Sequence, residues 1–188
     1  MSAVLETVQF ETVEGALRFA FRQDRENYQA AIINRMAGTQ NGSGRGLGGL
    51  EGAAMAGMIG RQVASLGFGP EAILKARYGQ RETECRCGRA CCKGWTDCEH
   101  WNEAVAVVTS FTAAAVIMSK YPLRHGIVRR YFGKRVDMGK LAKKLDIPTR
   151  TAEDHTSKVK QFLKQKEGEA FHAISANLRE AGIVYTVE

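Results

Sequence analysis

Residues 141–163 read LAKKLDIPTRTAEDHTSKVKQFL, and their pattern decides how the rest of the chain is read. Leu141, Ala142 and Leu145 fall on one face of a short helix, DMGKLAKKL, that begins at Asp137. DIPT, residues 146–149, is a turn, since the residue before a proline is pushed out of the helical region. A longer helix, TRTAEDHTSKVKQFLKQ, follows, with Ala152 and Val159 at inward positions. Ala142 is small enough for two helices to cross closely, Ile147 is an apolar plug for the turn, and Thr149 can cap the second helix through its hydroxyl. These are the requirements of a helix-turn-helix.

Charge singles out the same segment. Lys120 to Lys166 holds 14 Lys and Arg against 4 Asp and Glu, a local +10; the formal charge of the whole chain is +7, so the remainder carries −3. Such asymmetry suits a segment that meets a polyanion, because each cation near a phosphate releases condensed counterions.

The stretch resembles the helix-turn-helix of the LuxR type and of the fourth region of sigma factors. The resemblance rests on Leu141, Ala142, Leu145, Ile147, Thr151, Ala152, His155, Val159 and Leu163, with the helix ending in RRYF before them, and covers roughly residues 123–166. Ala152 stands where the family usually has a larger aliphatic residue, which predicts looser packing there. The resemblance implies a second helix lying in the major groove of double-stranded DNA, with Thr149, Arg150, Glu153, Asp154, Ser157 and Lys158 facing outward. Arg150 is the candidate for a guanine, whose O6 and N7 accept two guanidinium hydrogen bonds, and Glu153 or Asp154 could accept from a cytosine amino group. Lys143, Lys144, Lys160, Lys164, Arg129 and Arg130 are candidates for phosphate contacts. His155 matches a position that packs between helices and is expected to be structural.

All five cysteines fall between residues 85 and 98, in CRCGRACCKGWTDCEH. Clustering of this kind in a cytosolic chain points to a metal rather than to disulfides. A structural zinc knuckle takes four thiolate or imidazole ligands, and Cys85, Cys87, Cys91 and Cys92 are the first choice, with Cys98 or His100 able to replace one of the adjacent pair. An iron-sulfur cluster or a redox switch are the other readings of the same residues.

Elsewhere the periodicity is helical, so the expected fold is all-α: a multi-helix domain with a small zinc knuckle and a C-terminal helix-turn-helix. Residues 1–37 form an N-terminal helical segment, with Leu17, Phe21, Tyr28 and Ile32 at helical spacing. GTQNGSGRGLGG, residues 38–49, is a linker or loop that lacks the Lys-Ser or Lys-Thr ending of a phosphate-binding P-loop. Residues 50–121 are a helical core enclosing the knuckle at 85–100, with helices over 50–66 and 69–79 and a buried central helix over 101–121. Residues 122–188 hold the DNA-binding region and a separate C-terminal helix, EAFHAISANLREAGIV.

No apolar run reaches the roughly 20 residues that cross a bilayer, the acidic N-terminus is unlike a secretory signal, and a location in the cytoplasm of a bacterial host is expected. No nucleotide-binding βαβ pattern, carboxylate cluster or paired nucleophile and base is visible, so an enzyme acting on nucleic acid is the lesser alternative. More loosely, the layout is similar to phage regulators of late transcription of the Q antiterminator type, which implies RNA polymerase as a second partner. A dimeric prophage repressor or activator that does not touch polymerase is the alternative.

Overall fold

The computed structural model describes residues 10–22, 49–85, 87, 89, 94–116 and 119–185. The helices are α1 over residues 13–22, α2 (Gly49–Ala64), α3 (Phe68–Tyr78), α4 (Glu99–Phe111), α5 (Tyr121–Tyr131), α6 (Met138–Lys144) and α7 (Thr149–Glu180). Residues 23–48, and with them Tyr28, Ile32 and the Gly-rich stretch as far as Gly48, lie outside the described residues.

Three features depart from the periodicity. First, the fold is mainly helical but not wholly so: β1 (Glu82–Glu84) and β2 (Trp95–Asp97) pair antiparallel, Glu82 opposite Asp97 and Glu84 opposite Trp95. Strands of three residues, ETE and WTD, are too short to show alternation. Second, the central helix ends at Phe111 and runs into a 3-10 turn, Thr112–Ala114. The hydroxyls of Thr109, Ser110 and Thr112 donate back to the carbonyls of Val105, Ala106 and Thr109 at 2.7, 3.2 and 2.7 Å, a competition with the backbone ladder that weakens a helix. Third, α7 runs 32 residues without the interruption expected after Gln165. Gly168 costs a helix about 1 kcal/mol relative to alanine. Across it, Gln165 and Lys166 reach Glu169 at 2.9 and 2.8 Å, spacings that support helix.

By packing, the chain divides into two units, residues 68–171 and residues 1–67 with 172–188. In the second of these, Phe10 pairs in parallel with Val184: the Phe10 amide donates to the Ile183 carbonyl at 2.8 Å, and the Tyr185 amide to the Phe10 carbonyl at 3.1 Å. Its buried large side chains include Leu17, Ile59, Val63, Ile174, Leu178 and Ile183. In the 68–171 unit, α4 packs against α3 and against α5, and α5 against α6. One apolar cluster joins these helices to the start of α7 through Ile73, Trp101, Val105, Leu123, Ile127, Phe132, Ala142, Ala152, Val159 and Leu163. Leu163, Val159, Phe132, Ile127, Leu123 and Val105 are completely removed from solvent, and each such burial contributes about 1.5–3 kcal/mol. No helix among the described residues is long and apolar enough to cross a membrane.

Candidate nucleic-acid interface

The connection between α6 and α7 is built from backbone hydrogen bonds that the sequence makes possible. Asp137 caps α6 by accepting from the Lys140 amide at 2.9 Å, which also holds its carboxyl below the ordinary carboxylate range. At the other end, the Ile147 amide donates to the Ala142 carbonyl at 3.0 Å and the Asp146 amide to the Lys143 carbonyl at 3.1 Å. Asp146 sits at φ 53°, the left-handed position that such a Schellman ending requires and that aspartate adopts more readily than most side chains. The Lys120 ammonium donates to the Leu145 carbonyl at 2.6 Å, satisfying another of the last carbonyls.

Leu141, Leu145 and Ile147 pack against the core, and Ala142, Ala152 and Val159 are buried within it, as the pattern requires. Gly126 lets α6 lie close to α5, because a Cβ there would overlap Leu141 Cδ2. The Ala152 amide donates to the Pro148 carbonyl at 3.0 Å, so α7 is opened by backbone and Thr149 is its first residue, not its cap. His155 is half-buried, its Nδ1 enclosed and without a hydrogen-bond partner among the described residues. A cleft of about 510 Å³ is lined by Gly139, Ala142 and Ala152 together with Arg130, Asp137, Thr149, Glu153 and Ser157.

The outward face of the first turns of α7 carries Thr149, Arg150, Glu153, Asp154, Ser157 and Lys158, all exposed. Asp154 and Lys158 pair with each other at 2.8 Å, and the Ser157 hydroxyl donates to the Glu153 carbonyl at 3.1 Å. Arg130, Lys143, Lys144, Arg150, Lys160 and Lys164 are exposed, and among the described residues none of them is paired with a carboxylate.

Arg129 is placed differently from its neighbour Arg130. Its guanidinium donates to the Asp97 carboxylate and lies 5.6 Å from the centre of the Trp101 ring. Lys134, which the charge count assigned to a polyanion, pairs with Asp97 at 2.5 Å and Glu82 at 2.6 Å and lies 5.9 Å from the same ring. Burial alone would raise the Asp97 carboxyl, but the hydrogen bonds from Lys134 and Arg129 outweigh it and hold the group below the ordinary range. Trp101 is fully buried and donates its indole N–H to the Ala76 carbonyl at 3.0 Å.

A second anchored cation lies on α3. Arg77 meets Glu167 of α7 with two hydrogen bonds of 2.5 and 2.6 Å, and Tyr131 of α5 donates to the same carboxylate at 2.6 Å. The guanidinium also lies 5.0 Å from the centre of the Tyr131 ring. Burial, the hydrogen bond to Glu167 and its negative charge push the Tyr131 hydroxyl up to about 12. The Glu167 hydrogen bond likewise raises Arg77 above its ordinary value. This triad ties three helices together, and its members stand so far apart in sequence that no motif could flag it.

The cysteine loop hangs from the ribbon. The Cys85 amide donates to the Gly94 carbonyl at 2.8 Å, and Gly94 takes φ 79°, open to glycine without strain. Cys98 is buried in the apolar cluster at the head of α4, and the His100 ring lies in solvent 3.5 Å from Glu103. Cys87 is exposed; Cys91 and Cys92 lie outside the described residues. Among the described residues no three His, Cys, Asp or Glu side chains converge on a metal position.

No protein-family model matches the chain, and neither a curated protein nor a solved structure is significantly similar to it.

Proposed function

We propose that this protein binds double-stranded DNA in a sequence-specific manner and regulates transcription, with α6, the 145–148 turn and α7 as its helix-turn-helix. One observation carries the reading. The inward face of α7 is committed to the core through Ala152, Val159 and Leu163, while the opposite face presents Arg150, Glu153, Asp154, Ser157 and Lys158 to solvent. Exposed Lys143, Lys144, Lys160, Lys164 and Arg130 flank that face and supply the sequence-independent attraction to phosphates. A helix so anchored can enter a major groove without unfolding anything behind it. The test is equilibrium binding to random and to selected duplexes over a salt series. A steep salt dependence with tighter binding to the selected duplex supports the reading, and salt-independent or absent binding rejects it. The likeness to sigma-type and phage late regulators makes RNA polymerase the proposed second partner, checked by whether the DNA-bound protein retains polymerase on a promoter fragment.

The cysteine loop is proposed to hold a structural zinc ion through Cys85, Cys87, Cys91 and Cys92. The support is chemical: a ribbon of three residues per strand is too small to fold on apolar burial, and four thiolates between its arms are a ligand set zinc favours. Purified protein should contain about one zinc per chain, and Cys85→Ser or Cys87→Ser should lower both metal content and melting temperature. Metal-free wild-type protein with an unchanged melting temperature contradicts it.

A further inference from the structure

We infer that Asp97, at the end of β2, is a positioning residue for the DNA-binding helices, an inference that rests on the DNA reading above. Its carboxylate receives two cations from one short piece of chain: Arg129, in the last turn of α5, and Lys134, just beyond that helix. Glu82, opposite Asp97 in the ribbon, takes Lys134 from the other side at 2.6 Å. Arg81, next to β1, fills the space that a Cβ on Gly133 would need. Gly133 and Lys134 close α5, the Lys134 amide donating to the Arg129 carbonyl at 3.0 Å, with Gly133 at φ 94°.

The ribbon therefore holds residues 129–134 by three side chains. Four residues later α6 begins, and its Leu141 is seated on Gly126 of α5. The direction in which the chain leaves α5 fixes where α6 lies, and with it Lys143, Lys144 and the turn into α7. Without the Asp97 charge, Arg129 and Lys134, 5.6 and 5.9 Å from the centre of the Trp101 ring, are left beside each other with Glu82 alone among the described residues to offset them, and the connection moves to separate them.

Positioning and simple charge predict opposite signs. Removing a negative charge near a polyanion site strengthens DNA binding by electrostatics alone. If Asp97 positions the helices, Asp97→Asn, which preserves shape and volume, weakens binding to the duplex selected by the wild type. The expected loss is roughly 5- to 150-fold at fixed salt, the range of ordinary coupling between sites. Amide exchange at residues 132–145 should accelerate while Ile73 and Val105 in the core stay protected. Lys134→Met should act in the same direction, and Asp97→Glu should recover most of the affinity. Asp97→Asn binding as tightly as the wild type or tighter overturns this inference alone. So does a loss that Asp97→Glu does not relieve. A wild-type protein that prefers no duplex overturns the inference together with the DNA reading.

Discussion

Two sets of basic side chains stand within the same segment of sequence and have opposite fates. Arg129 and Lys134 are spent internally, on Asp97, Glu82 and the Trp101 ring, while Arg150, Lys160 and Lys164 stand in solvent on α7. A count of +10 treats them alike. Lys120 joins the first set through the Leu145 carbonyl, and Arg124 through the Ser119 carbonyl. The charge available to a polyanion is thus smaller than the charge written in the chain, and what separates the sets is whether a carboxylate or carbonyl from another element reaches the cation first.

The largest expected effect tests the seat of the internal set. Trp101→Ala removes a fully buried ring, its hydrogen bond to Ala76 and the surface under both cations, and should cost about 3–5 kcal/mol in denaturant unfolding. A cost under about 1 kcal/mol would show that the ring does not organise this part of the core.

Next comes Glu167→Gln, which takes the charge from the Arg77 and Tyr131 hydrogen bonds and should cost about 1–3 kcal/mol. The pH dependence carries a sign. The folded Tyr131 hydroxyl is raised to about 12 from an ordinary 10.0, so its contribution is complete below pH 10 and is lost as pH rises through about 12. Tyr131→Phe should flatten the fall in stability across that window. An unchanged alkaline profile would place the loss elsewhere.

The exposed set should behave in the reverse way. Arg150→Ala should leave melting unchanged and lower discrimination between the preferred duplex and its guanine-substituted variants by about 1–3 kcal/mol. Lys160→Ala should weaken all duplexes alike and reduce the salt slope by roughly 1. Equal effects of Arg150→Ala on selected and random DNA would move Arg150 from base readout to the phosphates.

Local rules carried the two-helix unit a long way. Ala142, Ala152 and Val159 are buried and Ile147 packs against the core, the places that the spacing assigned them, because which face of a short helix turns inward is written in its own periodicity. Pro122 stands in the first turn of α5, where its fixed φ and missing N–H suit a helix start. What the spacing missed depends in part on distant partners. Arg129 stands among the phosphate candidates because nothing near it in sequence announces Asp97, 32 residues earlier. Thr149 has a hydroxyl suited to capping, whereas the Pro148 carbonyl makes the first helical hydrogen bond. The helix expected to end at Gln165 runs on, with Glu169 bridging back to Gln165 and Lys166 and Glu167 gripping Arg77. The ribbon leaves no trace in the periodicity because three-residue strands are too short to repeat an alternation.

The measurement that bears most directly on the central claim is selection from a pool of random duplex DNA at physiological salt, followed by sequencing of the bound fraction, with the wild type and Arg150→Ala side by side. The account predicts one enriched motif for the wild type and a relaxed guanine position within it for the variant. An unenriched pool from folded wild-type protein would contradict it.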